Sequence, residues 1–367
     1  MNIIIFVIIL LVLVLVHEFG HFFTAKKFGI RVDEFGFGFP PKLFGFKKGE
    51  TEYSLNLLPI GGFVKIFGEN PDEENTNGPD ASRSFINKAK WKQAVVLFAG
   101  VFANFLLAWF LFSFGFMSGL PTSVGNETKG YALEDINLVV VSVAPDSPAD
   151  KASLKSGDKV ISVKSSSDIL KDINPDALKS FILSHSEKEI KIGYMRGKDA
   201  AIHTALVTPV VKSVGGEPII GISMDQKIGT AKLPFLTALK EGMGLTWFVT
   251  KGTVVGLYTL IADSLKGQGS LESITGPVGM VGIVGDAYQF GFVYLLSFTA
   301  LISVNLAIIN LLPFPALDGG RLFFLLIEKI KGSRMNPKFA NTANLIGFGI
   351  LIILMLVITY HDVVRLF

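Results

Sequence analysis

The chain contains no cysteine. Disulfides and thiolate-held metals are therefore excluded, and any metal site must be assembled from histidine and carboxylate. Histidine is itself scarce, with five in 367 residues. Charge is scarce too: charged residues make up 18% of the chain and the formal net charge is +3, which provides no electrostatic footing for a nucleic-acid partner. What is abundant is apolar. Hydrophobic residues reach 50% and the mean hydropathy is +0.50. This is the composition of an α-helical integral membrane protein, with membrane lipid as its solvent.

Four stretches, 2–24, 94–118, 291–317 and 343–361, are long enough to cross about 30 Å of hydrocarbon. The first is unbroken Ile, Phe, Val and Leu from 3 to 16. It lacks the basic start and small-residue cleavage site of a signal peptide, so we read it as a retained helix. The loop 25–92 holds eleven Lys and Arg, and the short loop after the third stretch carries Arg321, Lys329, Lys331, Arg334 and Lys338. The excess of basic residues places both loops in the cytoplasm, with both termini and 119–290 outside. Segment 233–290 is interrupted by Lys240, Glu241, Lys251, Asp263 and Lys266, which predicts amphipathic helices on the membrane surface, broken at Thr275-Gly276-Pro277-Val278-Gly279.

Two regions do not read as spans. Residues 139–210 alternate strand and helix signals: Val139–Val143, a helix opened by Ser147-Pro148-Ala149, the turn Lys155–Asp158, the strand Lys159–Val163, a helix opened by Asn174-Pro175-Asp176, and two closing strands. The pattern fits an inserted α+β PDZ domain, taken as 119–210, which would bind an extended peptide by strand addition. Residues 35–41 alternate small and aromatic side chains, and Thr51–Leu58 and Gly62–Ile66 read as two strands around Pro59-Ile60-Gly61, a membrane-associated β-hairpin. An open edge there can hold an unwound substrate against Gly61, Gly62 and Phe63. The chain thus divides into a membrane half at 1–118, the PDZ domain at 119–210, a membrane-surface region at 211–290 and a second membrane half at 291–367.

The chemistry concentrates at His17-Glu18-Phe19-Gly20-His21. Helical positions i and i+4 share a face, so His17 and His21 can point both imidazoles at one zinc ion, and Glu18 stands where a general base takes a proton from water. Ionisable groups inside a bilayer cost roughly 2.5–3.5 kcal/mol each on insertion scales, and metal coordination explains their presence. A third ligand is needed. Asp318 follows an uncharged run from Ala287 to Leu317 and is preceded by Pro313 and Pro315 and followed by Gly319 and Gly320. These residues break the helix, can bend Asp318 toward the first span and leave Asn310 free to bond a peptide backbone. His185 and His203 are assigned to the surface of the inserted domain, and His361 to an interfacial position.

These motifs resemble the site-2 protease family of intramembrane zinc metalloproteases, in particular the bacterial regulators of sigma-E type. The resemblance runs over nearly the whole chain. It includes GFGF at 36–39, the stretch 52–69, the FxNK…W…AG…AN pattern at 85–104, SGDKVISV at 156–163, TGPVG at 275–279 and 317–332. It implies zinc held by His17, His21 and Asp318, Glu18 as general base, and Asn310 orienting the substrate backbone. It also implies a hairpin clamp over 52–66, single-span membrane proteins as substrates, a periplasmic PDZ filter and a bacterial inner-membrane location. Two departures stand out: one PDZ domain where such proteins often carry two, and Val101 where a proline is common. Three other readings compete. A membrane-anchored quality-control protease of gluzincin type would need a downstream glutamate ligand. A silent PDZ scaffold would not need Glu18. A zinc transporter would need more intramembrane carboxylates than the chain has.

Overall fold

The computed structural model describes all residues except 71–72, 124–132, 145, 198–200, 212–216, 231, 268–274 and 365–367. In chain order its main elements are α1 (Asn2–Lys27), β1 (Val32–Lys48), β2 (Thr51–Ile66), α2 (Lys90–Met117), β3 (Pro121–Ser123), β4 (Leu133–Val143), β5 (Lys159–Ser165), β6 (Ile169–Leu170), α3 (Pro175–Ser184), β7 (Ile190–Met195), β8 (His203–Val207), β9 (Ile222–Thr230), α4 (Phe235–Leu265), α5 (Pro277–Phe290), α6 (Phe292–Leu311), α7 (Asp318–Lys331) and α8 (Pro337–Val364). They form two compact units, one of residues 1–112, 242–285 and 297–367, the other of 113–241 and 286–296.

In the first unit, α1 ends where Lys26 and Lys27 meet the negative pole of the helix, and Gly29 turns the chain at φ +64°. Four of the long apolar helices fall on the four expected stretches. The fifth, α4, lies within 233–290, where surface helices are expected; by length and composition alone, five helices among the described residues could cross a membrane. Residues 242–262 contain only Lys251 as a charged residue, which makes α4 apolar enough for either place. A four-residue stripe of α4 explains its attachment. Leu245, Val249 and Leu257 pack against Ala300, Val304 and Ile308 of α6, and Thr253 Oγ1 donates to Asn305 Oδ1 at 2.8 Å.

The expected hairpin differs in its pairing. Residues 51–58 and 62–66 do not pair with each other; the start of β1 lies between them. Phe35 stands opposite both Val64 and Tyr53, and Gly36 opposite both Phe63 and Ser54. The Phe63 ring covers Gly36 closely: a Cβ there would lie 2.3 Å from it. Residues 62–66 thereby become an edge of this sheet. The tip is tied down by Glu50, which accepts from Lys26 Nζ at 2.6 Å and pairs with Arg83 at 2.5 Å. The stretch after Asp318 is also more ordered than a loop. It is the helix α7, stopped by Gly332 in the left-handed region, and its Leu322 and Leu325 pack with Ile30, Val32, Phe85 and Val96.

The second unit is an antiparallel sheet in the order β3-β9-β4-β5-β7-β8, with β6 against β5. Leu138, Val140, Val160, Ile190 and Ile192 of the sheet and Leu178, Phe181 and Ile182 of α3 form its core. The Asn174 side chain caps α3 by accepting from Ala177 N at 2.8 Å, with Pro175 in the first turn. Buried Asp158 closes the turn expected at 155–158, accepting from Lys155 N at 2.8 Å and from Arg196 Nε and Nη2 at 2.7 and 2.8 Å. Two expectations are corrected. The boundary at 210 is too early, because β9 pairs with β4 along 222–230. His185 is buried rather than superficial: its ring stacks on Phe181 and Nδ1 donates to the Phe181 carbonyl at 2.9 Å.

Candidate metal centre and active site

α1 carries His17 and His21 one turn apart, both buried. The helix can sit close to α2 because Gly20 has no side chain: a Cβ there would lie 2.3 Å from the Ala99 carbonyl oxygen. That approach puts the Val96 carbonyl within 2.8 Å of His21 Nδ1, which donates to it. With its proton on Nδ1, the ring presents Nε2 as an acceptor.

Asp318 reaches the same point from the other end of the chain. Helix α6 stops at Leu311, the turns of 312–317 follow, and Ala316 takes φ +77° while its N–H donates to Asn344 Oδ1 at 3.2 Å. Gly319 and Gly320 then start α7 against the backbone just left behind. A Cβ at either would lie 2.2 Å from a carbonyl oxygen, of Leu311 and Leu312 in one case and of Phe314 in the other. Only glycine permits so sharp a return, and it leaves Asp318 at the first position of α7.

The result is a triangle of acceptors. His17 Nε2 and His21 Nε2 are 3.2 Å apart, and Asp318 Oδ2 lies 3.0 Å from the first and 3.2 Å from the second. Metal bonds of about 2.0–2.1 Å in a tetrahedron set ligand edges of roughly 3.3 Å. Asp318 Oδ2 is buried without a hydrogen-bond donor, a costly state unless a cation satisfies it. The residues present therefore fit a zinc ion. Among the described residues this is the one cluster of three ligand groups with metal-holding geometry.

Glu18, half-buried, lies beside the triangle with the backbone N–H of Val64 facing its carboxylate. Gly62 of the same strand is also close: a Cβ there would stand 3.9 Å from Glu18 Cγ. Of the expected substrate-facing residues, Gly62 is thus brought to Glu18. Phe63 is turned over Gly36 and Phe39, and Gly61 bends the chain at φ +99°. Asn310 sits half-buried in the last turn of α6, and exposed Pro313 and half-buried Pro315 belong to the turns before Asp318. Two ion pairs hold α7 in place, Arg321 with Glu69 beyond the sheet and Lys90 of α2 with Glu328.

Three neighbours escaped the sequence reading. Val96, Gly100 and Asn104 lie one turn apart on α2, facing the imidazoles. Their four-residue spacing inside the AG…AN stretch is the signal that was available. His361 and Asp362 are also not simply interfacial. His361 Nδ1 is buried without a partner, and buried Asp362 accepts from Gly276 N at 3.1 Å and Gly279 N at 2.8 Å at the start of α5.

This chain is similar to known proteins at the level of family and sequence. The model of a family described as peptidase family M50 matches residues 5–354. A protein of Clostridium perfringens whose name proposes a zinc metalloprotease is 35% identical, over 96% of this chain and 95% of its own. The zinc metalloprotease RasP of Geobacillus kaustophilus is 30% identical, over 100% and 98%. The regulator of sigma-W protease RasP of Bacillus subtilis is likewise 30% identical, over 100% and 99%. Among solved structures, a PDZ domain of an SdrC-like protein from Listeria monocytogenes covers 25% of this chain and 92% of its own, at 23% identity and a TM-score of 0.21.

Proposed function

Because this chain belongs to peptidase family M50, the site-2 proteases, we propose that it is a zinc-dependent endopeptidase cutting single-span membrane proteins within or near the bilayer. The observation that carries this reading is the convergence of His17, His21 and Asp318 on one point beside Glu18. His17, His21 and Asp318 hold the ion, and bound zinc supplies Lewis acidity toward water and toward the scissile carbonyl. Glu18 takes a proton from the attacking water. As the C–O bond forms and the C–N bond breaks, Glu18 passes that proton to the leaving amine.

The sheet edge at 62–66 supports a role in holding substrate. A helical substrate hides its scissile carbonyl in its own hydrogen bonds. Pairing of the unwound segment along Gly62–Val64 gives its backbone groups partners and lays the peptide beside Glu18. Asn310, in the last turn of α6, and Pro313 and Pro315, in the turns before Asp318, are assigned to the same path.

The second unit is read as a PDZ-type peptide binder, extending past 210 to include β9. Among the described residues, β3 pairs with β9 at Lys227–Gly229 and none pairs with 222–226 on that side. A cavity of about 460 Å³ lies there between Lys179 and Ile182 of α3 and Ile220–Met224. An extended peptide of the substrate fits this edge. The excess of basic residues in 25–92 and after Asp318 supports assigning this unit outside the cytoplasm and the catalytic site near the cytoplasmic face of a bacterial inner membrane, an orientation in which α4 lies on the membrane surface and does not cross it. Substrates of the kind expected are anti-sigma-factor-type proteins and signal-peptide remnants. The test is reconstitution in lipid with a single-span model substrate: the wild-type chain cleaves within the span, and a wild-type chain that holds zinc but leaves it intact contradicts the reading.

A further inference from the structure

We propose that the face of α2 formed by Val96, Gly100 and Asn104 sets the geometry of the metal ligands, with Asn104 the positioning residue that fixes the ring of His17. The inference rests on the zinc reading above and deepens it.

Each of the three residues acts on the imidazoles differently. Val96 offers its carbonyl to His21 Nδ1–H at 2.8 Å. Gly100 provides space: a Cβ there would lie 2.3 Å from His21 Nε2 and 2.9 Å from His17 Cε1. One turn on, the Asn104 amide nitrogen is 3.4 Å from His17 Nδ1. If His17 is to present Nε2 as a ligand, Nδ1 must carry the proton and needs an acceptor. An amide nitrogen cannot accept, but Asn104 Oδ1 is buried with no hydrogen-bond partner, and Asn104 has no exposed surface. Half a turn of the amide about its last torsion exchanges oxygen and nitrogen and brings that acceptor to Nδ1–H. Both ligand rings then have one partner each, a main-chain carbonyl for His21 and a side-chain carbonyl for His17. The stripe is held in register by Ser303 of α6, whose hydroxyl donates to the Asn104 main-chain carbonyl at 2.8 Å.

The test uses the full-length chain in detergent, with zinc affinity measured by competition against a chromophoric chelator and the ligand field by cobalt absorption. Asn104→Leu removes the acceptor at similar volume, and Asn104→Asp retains it. The expected result is zinc binding weakened about 10–100-fold and an altered cobalt spectrum in Asn104→Leu, with Asn104→Asp within about threefold of wild type or tighter. Unchanged affinity and spectrum in Asn104→Leu overturn the proposal, as does a tenfold or greater loss in Asn104→Asp. A melting temperature lowered alike in both, with affinity unmoved, assigns Asn104 to packing and also overturns it. Should Asn104→Leu not fold, the Asn104→Asp affinity decides. A wild-type chain that takes up no zinc defeats the metal reading itself, a different result from all of these.

Discussion

His17 Nε2 and Asp318 Oδ2 stand 3.0 Å apart, although one belongs to the first helix and the other begins the second-last. Each is an acceptor when His17 is neutral with its proton on Nδ1. Two acceptors at that distance repel unless something positive lies between them, so the contact is informative about a cation and weak as evidence for a salt bridge.

The base is separable from the ligands. Glu18→Gln leaves His17, His21 and Asp318 untouched while removing the proton acceptor beside them. Cleavage of a reconstituted single-span substrate is expected to fall by at least about 10²–10⁴-fold with zinc content unchanged. Retained cleavage in this variant removes Glu18 from the catalytic role.

Gly100 admits no side chain. Gly100→Ala places a methyl carbon 2.3 Å from His21 Nε2, on a ring whose Nδ1 is bonded to the Val96 carbonyl. Displacing the ring is expected to weaken zinc binding by more than tenfold and to cost about 1–3 kcal/mol of stability. Normal zinc affinity in Gly100→Ala, measured by chelator competition, shows that the two helices separate more easily than the packing implies.

The sequence pointed to the candidate ligands but not to the groups around them. His17, Glu18, His21 and Asp318 were readable because spacing and the cost of intramembrane charge single them out. Val96 contributes a main-chain carbonyl, which no side-chain pattern records. Gly100 and Asn104 look like ordinary small and polar residues of a spanning helix until the helix opposite is known. The sheet was half readable for a similar reason. Residues 51–58 and 62–66 read as strands around Pro59-Ile60-Gly61, but the residues that pair with both, 34–37, lie earlier in the chain. Similarly, charge spacing set α4 on the surface, while its contacts with α6 follow a stripe that only the fold pairs.

Asp362 is expected to hold the TGPVG turn. Asp362→Ala leaves the N–H groups of Gly276 and Gly279 without their acceptor. Stability should fall by about 1–3 kcal/mol, with faster hydrogen exchange at 276–280 than in wild type. Unchanged exchange there shows that water or another group replaces the carboxylate.

The tip of the sheet supplies a pH dependence. The Lys26 ammonium bonded to Glu50, aided by Arg83 against a smaller opposing effect of burial, holds its carboxyl below the usual range. A depressed value stabilises the fold above the unfolded-state pKa of about 4.3, and that contribution disappears as pH falls through the folded value. The group is largely solvent-facing, so the effect is small and sensitive to salt. The melting difference between wild type and Glu50→Gln should be constant from about pH 6 to 8 and shrink as pH falls below the unfolded-state pKa of about 4.3, disappearing once the folded carboxyl is protonated. A difference that persists in acid assigns the effect to packing.

Zinc stoichiometry of the purified full-length chain, wild type against Asp318→Ala, tests the central claim most directly. The account expects about one zinc per wild-type chain, lost or bound at least tenfold more weakly when the carboxylate is removed. A wild-type chain free of zinc after metal reconstitution, or an Asp318→Ala chain that holds it as tightly, contradicts the assembly of one metal centre from His17, His21 and Asp318.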